Sequence, residues 1–327
     1  MKILVTGAAG FIGYHLCRAL LNEGHTVTGL DNLNPYYDPS LKMARLNRLE
    51  EDDNSGQFIF HKTDIREKEL LKKLFAEGGF DIVCHLAAQA GVRYSIDHPE
   101  AYMQSNIEGF FNILECCRHH PVKHLVFASS SSIYGNNSSI PYKESDPSDC
   151  PVSLYAATKK SNELMAYSYA SLYGLPCTGL RFFTVYGPWS RPDMAPFLFA
   201  KALFEGGEIC LFNHGEMERD FTYIDDVIEG VLQILPNYPE KGAEDNTAYR
   251  ILNIGNSKPV KLNEFVNVLE EIAGIEAKKT YAPMQPGDVK TTWADVSALQ
   301  RLTGYAPSTS IKQGLSAFVE WYRDYYL

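Results

Sequence analysis

Tyr155 and Lys159 stand four residues apart in the segment SLYAATKKS, whose composition predicts an α-helix. Residues at positions i and i+4 share one face of a helix, so the phenol and the ammonium can point into the same space. A free phenol has a pKa of about 10 and is a poor base at neutral pH, but a nearby cation stabilises the phenolate. The pair therefore predicts a tyrosine that takes a proton from a substrate hydroxyl while hydride leaves the same carbon.

A run of four serines ends the predicted strand in LVFASSSSIYG, one helix before that pair. Its members are Ser129, Ser130, Ser131 and Ser132. Serine in such number is unusual at the end of a buried strand. The run is either a solvated turn or the floor of a site that needs several small hydroxyls and no acid.

Three glycines follow the first predicted strand in VTGAAGFIG. Gly7, Gly10 and Gly13 provide a tight turn, close approach of the backbone to a pyrophosphate, and helix-on-strand packing. Asp31 closes the second strand, where a carboxylate can accept hydrogen bonds from an adenosine ribose and repels a 2′-phosphate. The sequence thus predicts a site for NAD rather than NADP, although G-x-x-G-x-x-G departs from the general G-x-G-x-x-G spacing. Further predicted cofactor-binding residues are Phe11, Ile12, Asn32, Asp64, Ile65, Leu86, Ala87, Ala88, Asn106 and Ser129, together with Tyr155 and Lys159.

Short apolar strands alternate with helical stretches through the first half of the chain. Each strand is a continuous apolar run, which is typical of a parallel strand covered on both faces. The pattern predicts an α/β fold with a doubly wound parallel (Rossmann) sheet and a smaller C-terminal α/β lobe. Residues 1–183 form the predicted dinucleotide-binding domain, to which some later segments return, and residues 184–327 mainly form the lobe. Predicted strands are Lys2–Thr6, Thr26–Asp31, Gln57–His61, Asp81–Ala87, Lys123–Ser129 and CTGLRFF; predicted helices are Phe11–Glu23, Leu41–Glu51, Glu67–Ala76, Glu100–Arg118, Ser153–Tyr173, Val227–Leu235, Leu262–Ala273 and Ile311–Tyr325.

Composition excludes several classes of function. The 327 residues carry 30 basic and 40 acidic side chains, a net charge of −10, which argues against a nucleic-acid or anionic-membrane partner. The seven cysteines have no metal-ligand spacing, so buried free thiols and no metal site are expected. With no signal peptide before the first strand and no apolar run of about 18 residues, a cytoplasmic protein is expected.

The chain resembles the extended short-chain dehydrogenases/reductases, whose own glycine spacing is G-x-x-G-x-x-G. Besides the glycines and YAATK, the resemblance rests on HLAAQAGVRYS, SSSSIYG, RFFTVYGP, RPDM, RDFTYIDDV and PGDVKTTWAD. Within that family the chain is similar to the nucleotide-sugar 4-epimerases, and DNLNPYYDPSLKMARL resembles the branch that acts on UDP-glucuronate. The resemblance implies an isomerase with tightly bound NAD, a UDP-sugar substrate, and a homodimer formed through the helices at 100–118 and 153–173.

The resemblance also assigns roles within the serine run. In the family, the residue four before the tyrosine of SSxxYG is the catalytic Ser or Thr, which here is Ser130. Sugar 4,6-dehydratases have Asp and Glu at the next two positions, and UDP-glucuronate decarboxylases carry a Glu. Here Ser131 and Ser132 stand there, and neither titrates usefully near neutral pH, so epimerisation is predicted.

The remaining substrate residues follow from the same resemblance. Thr184 stands where UDP-galactose 4-epimerases usually have Asn, and with Ser131 and Ser132 it can hold a carboxylate, which favours a uronate. The implied roles of the others are Arg191 on the sugar or its carboxylate, Arg219 on the diphosphate, Asp288 on the uridine ribose, Arg93 near the substrate, and Phe212 stacked on the uracil. The predicted reaction is 4-epimerisation of UDP-glucuronate to UDP-galacturonate. UDP-glucose or UDP-N-acetylglucosamine 4-epimerisation, decarboxylation of UDP-glucuronate, and a dinucleotide-binding protein without catalysis remain alternatives.

Overall fold

The computed structural model describes the chain except residues 54–55, 138, 243–245 and 286–287. Twelve strands lie in the described part. They are β1 (Lys2–Thr6), β2 (Thr26–Asp31), β3 (Phe58–Lys62), β4 (Ile82–His85), β5 (His124–Ser130), β6 (Cys177–Phe182), β7 (Thr184–Tyr186), β8 (Glu208–Phe212), β9 (Glu218–Tyr223), β10 (Tyr249–Ile254), β11 (Pro259–Lys261) and β12 (Lys278–Ala282).

Twelve α-helices accompany these strands in the described residues, with a π-helical segment (Met103–Gly109) between two of them. They are α1 (Phe11–Asn22), α2 (Pro39–Asp52), α3 (Lys68–Gly78), α4 (Tyr94–Asp97), α5 (Pro99–Tyr102), α6 (Phe110–His119), α7 (Leu154–Tyr173), α8 (Ala195–Glu205), α9 (Ile224–Ile234), α10 (Leu262–Ala273), α11 (Ser297–Thr303) and α12 (Ile311–Tyr326). No helix in the described part of the chain is both long enough and apolar enough for a membrane span.

The first compact unit consists of Met1–Gly135, Ser148–Arg181 and Ile228–Leu252. It is built on a seven-stranded sheet in the order β3-β2-β1-β4-β5-β6-β10, and the pairs from β3 to β5 are all parallel. Leu4, Val83, Leu125 and Phe127 are fully buried on these strands beneath flanking helices. The predicted doubly wound sheet is confirmed, because continuous apolar strands need cover on both faces.

Most predicted elements of this unit are present, with changed ends. β1 and β2 have the predicted bounds, whereas β4 is shorter than predicted and β5 ends one residue later, at Ser130. The helix predicted over Glu100–Arg118 is instead α5, the π-helical segment and α6. Within that segment the carbonyl of Asn106 accepts a hydrogen bond of 2.6 Å from Asn162 Nδ2 of α7. A side chain that bonds to a carbonyl inside a helix is a recognised origin of such widened turns.

The second compact unit consists of Asn136–Pro147, Phe182–Val227 and Asn253–Leu327. It contains a three-stranded sheet in the order β11-β9-β7 and a parallel pair, β8 with β12. Residues 136–147 cluster with this unit, and residues 228–252 cluster with the first. Dinucleotide binding by residues 1–183 and nucleotide-sugar binding, mainly by residues 184–327, stay predictions.

The cysteines, for which burial as free thiols is expected, divide into two groups. Five cysteines are buried free thiols, but Cys150 and Cys210 are exposed.

Candidate active site

The glycine turn between β1 and α1 is packed so closely that side chains are excluded. A Cβ on Gly7 would lie 2.8 Å from the backbone nitrogen of Ala87, and one on Gly13 would lie 2.1 Å from the carbonyl oxygen of Gly7. Gly7 also has φ +75°, a left-handed conformation that favours glycine. Gly10 is the N-cap of α1, so the first-turn N–H groups at Phe11 and Ile12 lack intrahelical partners. This cradle fits a pyrophosphate.

Asp31 is buried at the end of β2, beside the glycine turn. Its carboxylate accepts N–H bonds from Ala9 at 3.2 Å and from Leu33 at 2.9 Å. Asn32 follows it, and its Nδ2 donates to Asp64 Oδ2 at 2.7 Å. These bonds fix the carboxylate of Asp31 and the residues after β2 and β3 at one edge of the sheet, where a ribose and its base can lie.

A cavity of about 670 Å³ opens beside these residues. It is lined by Asn32, Asp64, Arg66, Glu67, Gln104 and Glu108. The guanidinium of Arg66 donates from Nε and Nη2 to the two carboxylate oxygens of Asp64, both at 2.9 Å. Burial opposes ionisation of Asp64, but hydrogen bonds from Arg66 and Asn32 prevail and lower its pKa. Arg66 was missed by the sequence reasoning, although its place two residues after Asp64 was a usable signal. Ile65, between them, is buried.

The residues after β4 are attached to the end of β1. The N–H of Leu86 donates to the Thr6 carbonyl at 3.1 Å, and that of Ala87 donates to Thr6 Oγ1 at 3.2 Å. Leu86, Ala87 and Ala88 are half-buried at the carboxyl edge of the sheet. This is the edge at which open α/β sheets bind their ligands.

Asn106 is fully buried, and its side chain bonds to protein groups. Nδ2 donates to the Gln89 carbonyl and to Thr158 Oγ1, each at 3.0 Å, while Oδ1 accepts the Gln89 N–H at 2.8 Å. Both amide hydrogens are thereby used, so the observed role of Asn106 is to connect the Gln89 segment with α7. Its contact with a cofactor stays a prediction.

Tyr155 and Lys159 lie in the first two turns of α7, which Ser153 caps by accepting the Ala156 N–H at 3.1 Å. The ring of Tyr155 is half-buried and meets Tyr102 edge-on, with centroids 6.0 Å apart. Lys159 is buried, and its Nζ donates to the Ala128 carbonyl of β5 at 3.1 Å. Burial lowers the pKa of Lys159 to about 8. The fold thus places this ammonium against the strand that ends in the serine run.

The serines of that run have different environments. Ser130 is buried, and its Oγ accepts the Ser132 N–H at 3.2 Å, which caps the 3₁₀ turn Ser131–Tyr134. Ser131 and Ser132 are half-buried. Ser129 instead donates its hydroxyl to Glu163 Oε1 at 2.6 Å, so any contact of its side chain with a cofactor stays a prediction.

A buried ion pair between Arg181 and Glu163 is hydrogen-bonded to both ends of the serine-rich turn. Arg181 of β6 donates from Nε and Nη2 to the two oxygens of Glu163, at 2.9 and 2.8 Å. Its Nη1 donates to Tyr134 Oη at 2.9 Å, and burial is outweighed by these partners, so the pKa of Arg181 is raised. Because Ser129 and Tyr134 flank Ser130, the pair fixes both ends of the turn to α7. Sequence reasoning missed it, since a helical glutamate usually lies on the surface.

Replacing Glu163 with Gln is expected to lower the free energy of unfolding by about 3 kcal/mol, because it leaves the buried guanidinium of Arg181 without its counter-charge. The check is urea unfolding followed by circular dichroism. Glu69→Gln is the matched control, since Glu69 forms an exposed pair with Lys72 on α3 and no measurable change in stability is expected there. Equal losses in the two variants would contradict a special role for the buried pair.

The predicted substrate residues of the second unit are partly brought together. Arg219 of β9 donates from Nη1 to the carbonyls of Glu218 at 2.8 Å and Lys290 at 3.1 Å, and Asp288 lies half-buried two residues before Lys290. Thr184 begins β7 and pairs with Phe221 of β9. Pro286 and Gly287, from the same motif as Asp288, lie outside the described residues.

The structure shows a partner for Arg191 and the exposure of Phe212 and Arg93, the other predicted substrate residues. Arg191 donates from Nε and Nη2 to both oxygens of Asp193, at 3.0 and 2.5 Å. Phe212 is half-buried at the end of β8, and Arg93 is exposed at the start of α4. Their contacts with a substrate stay predictions.

Asp220, next to Arg219, organises the second unit and was not predicted. This fully buried carboxylate accepts N–H bonds from Asn256 at 2.6 Å, Ser257 at 3.0 Å and Ala294 at 2.9 Å. Burial raises the pKa of Asp220, although these hydrogen bonds counteract it. The carboxylate therefore joins β9 to two further segments, one of which follows Asp288.

The chain is similar to several proteins of known activity. A model of the NAD dependent epimerase/dehydratase family matches residues 3–255. UDP-glucuronate 4-epimerase 4 of Arabidopsis thaliana is 50% identical over 100% of this chain and 76% of its own length. The structure of UDP-glucuronic acid 4-epimerase from Bacillus cereus in complex with UDP-glucuronic acid and NAD matches with a TM-score of 0.90 and 36% identity, over 100% of both chains. UDP-glucose 4-epimerase from Thermotoga maritima with UDP-glucose gives a TM-score of 0.87 and 31% identity, over 99% of both chains.

Proposed function

Since the chain belongs to the NAD dependent epimerase/dehydratase family, we propose that it is a UDP-glucuronate 4-epimerase with tightly held NAD. The observation that carries the proposal is the arrangement of α7 and β5. Lys159 contacts the strand that ends at Ser130, and Tyr155 lies on the same face of α7 as Lys159. Similarity to UDP-glucuronate 4-epimerases supports the choice of substrate. The product is UDP-galacturonate.

The chain's residues move the proton in this reaction. Tyr155 takes the proton of the C4 hydroxyl through Ser130, whose Oγ can share a hydrogen bond with both groups. Lys159, as an ammonium, stabilises the phenolate of Tyr155. NAD, when bound, accepts hydride from C4 and returns it. The 4-keto uronate turns over in the site between these steps and receives the hydride on its opposite face, so net redox is zero.

Ser131 and Ser132 prevent decarboxylation of the 4-keto intermediate. This intermediate is a β-keto acid, which loses carbon dioxide when its C5–carboxylate bond aligns with the carbonyl π system. Half-buried hydroxyls can hold the carboxylate by charge-assisted hydrogen bonds without donating a proton of useful acidity. We assign this role to Ser131, Ser132 and Thr184, which also distinguishes a uronate from UDP-glucose or UDP-N-acetylglucosamine.

The second unit binds the nucleotide part of the substrate. Arg219 faces carbonyl groups through Nη1, and a guanidinium fork suits paired phosphate oxygens. Asp288 then binds the uridine ribose and Phe212 stacks on the uracil. Arg191 and Arg93 are assigned to the sugar, and for Arg191 this requires that it exchange its bonds to Asp193.

Asp220→Asn tests the nucleotide-binding role of the second unit. The amide presents N–H groups to backbone N–H donors, so at least one buried donor loses its acceptor, at a cost of about 1–3 kcal/mol. UDP binding measured by calorimetry is expected to weaken about tenfold, because Arg219 and Asp288 lose their relative position. Asp324→Asn, on the exposed face of α12, is the control. Unchanged UDP affinity in a folded Asp220→Asn variant would refute the role.

We also propose that the protein is a homodimer through the helices that precede and include α7. Large apolar side chains are exposed there, and a second copy would bury them. They are Met103, Phe111, Leu164, Tyr167 and Leu172. A cytoplasmic role in supplying UDP-galacturonate for polysaccharide synthesis completes the proposal.

The test of function is incubation of the purified protein with UDP-glucuronate without added NAD, followed by anion-exchange chromatography and proton NMR of the products. UDP-galacturonate is expected, with no UDP-pentose and no carbon dioxide. UDP-glucose is assayed under identical conditions as the competing substrate. Faster turnover of UDP-glucose, or a UDP-pentose as the main product, would overturn the assignment.

A further inference from the structure

Two loops meet above the carboxyl end of β1, where the glycine turn lies. One follows β2 and contains Tyr36; the other follows β4 and contains Gly91. In the sheet, β1 lies between β2 and β4, and the three strands are parallel. Their loops therefore emerge at the same edge, on either side of the turn.

The two loops touch through side chains rather than through a shared ladder. The rings of Tyr36 and Tyr94 pack edge-to-face with centroids 4.8 Å apart. A Cβ on Gly91 would lie 2.6 Å from Tyr36 Oη, and Gly91 has φ +101°. Only glycine adopts this backbone without strain and also lets the phenol approach so closely. Tyr36, Gly91 and Tyr94 are called the tyrosine bridge below.

The β4 side of the tyrosine bridge is held in place by Tyr102. Its hydroxyl is hydrogen-bonded to the carbonyl of Ala90, at 2.9 Å, and to that of Gly91. The ring of Tyr102 is also the ring that Tyr155 meets edge-on. The bridge is thus connected to the helix that carries the proposed base.

The β2 side is fixed by two cations of α2, Lys42 and Arg45, both buried. Lys42 Nζ donates to the carbonyl and to Oδ1 of Asn34, each at 2.9 Å. Arg45 Nη1 donates to Tyr37 Oη at 2.7 Å and to the Ala9 carbonyl at 2.8 Å. Because Ala9 belongs to the glycine turn, Arg45 joins the β2 loop directly to the predicted pyrophosphate cradle.

We propose that the tyrosine bridge closes over the pyrophosphate of bound NAD and keeps the dinucleotide in the protein between turnovers. The inference rests on the NAD site of the proposed function. Both loops emerge at the edge of the sheet that carries the N-terminus of α1, and Arg45 links one of them to Ala9 of the glycine turn. On this proposal, NAD held at that N-terminus leaves only after Tyr36 and Gly91 separate. An epimerase that returns hydride to the same substrate carbon has no need to exchange NAD, and retention costs it nothing in turnover.

The test measures NAD retention rather than turnover, so it is independent of which UDP-sugar reacts. Tyr36→Ala removes the bridging ring, and Gly91→Ala places a methyl group against Tyr36 Oη and breaks the same contact from the other side. Tyr281→Ala, an exposed tyrosine of β12, is the control. Each protein is purified identically, its NAD is released by acid and counted per chain, and NAD release is timed by exchange against isotopically labelled NAD.

Both bridge variants are expected to purify with less NAD per chain and to release it about tenfold faster or more, since changes within one site act mainly on dissociation. The control is expected to match the parent protein. Circular dichroism at saturating NAD identifies a variant that has not folded. In that case the NAD release rate of the other bridge variant is the test of the proposal. Release within twofold of the parent in a folded bridge variant would overturn the proposal.

Discussion

Replacing Tyr155 with phenylalanine is expected to lower kcat about 1,000-fold, because general acid–base groups contribute factors of about 10²–10⁴ and phenylalanine has no hydroxyl to take the proton. The ring and its edge-on contact with Tyr102 remain, so folding should be unchanged. The glycine turn and Asp31 are untouched, and NAD should stay bound. The measurements are initial rates with UDP-glucuronate and the NAD content of the purified variant.

Tyr173→Phe is the matched control for this variant, since Tyr173 lies on the same helix and is 46% exposed. It is expected to keep the parent kcat. More than a tenth of the parent kcat in Tyr155→Phe would remove the proposed base. Loss of NAD together with activity would instead assign Tyr155 to cofactor binding.

Lys159→Met is expected to abolish most turnover and yet to stabilise the NAD-free protein. Burial depresses the pKa of Lys159 from its ordinary value to about 8, which corresponds to a penalty of at most about 3 kcal/mol. The folded chain releases this proton above about pH 8, while the unfolded chain holds it to about pH 10.4. The penalty is therefore full below pH 8, and parent stability recovers as pH rises through that window.

Thermal unfolding of NAD-free protein at pH 7 and pH 10 tests this prediction. At pH 7 the melting temperature of the variant should lie a few degrees above that of the parent. Loss of the hydrogen bond from Lys159 to the Ala128 carbonyl reduces this gain. At pH 10 the difference between the two melting temperatures should be smaller. Lys160→Met is the control, because Lys160 is the next residue and is half-buried beside Ser148. A lower melting temperature with retained turnover would contradict both parts.

The first half of the fold was predictable because its signals are local. Continuous apolar strands, glycines at a strand-to-helix turn and a capped helix each occupy one short window, and β1 and β2 have the predicted bounds. Family membership was predictable for the same reason, and the family match confirms it. The helix predicted over 100–118 is interrupted by the π-helical segment, within which the Asn106 carbonyl bonds to Asn162, a residue far along the chain that no local window includes.

Pairings between distant residues were beyond sequence reasoning. Glu163 and Arg181 belong to different elements, and neither residue type in its own window indicates a buried ion pair. Asp220 likewise becomes an acceptor for N–H groups only after distant segments fold against β9. The side-chain partners of Asn106 and Ser129 within the protein could not be foreseen for the same reason, and their contacts with the cofactor stay predictions.

The most direct test of the account uses UDP-glucuronate that carries deuterium at C4, incubated with the purified protein in ordinary water. Removal of hydride from C4 and its return to the same carbon predict UDP-galacturonate that keeps the deuterium at C4, as read by proton NMR and mass spectrometry. UDP-galacturonate with hydrogen from solvent at C4 would contradict the account, because C4 would then have exchanged its hydrogen as a proton.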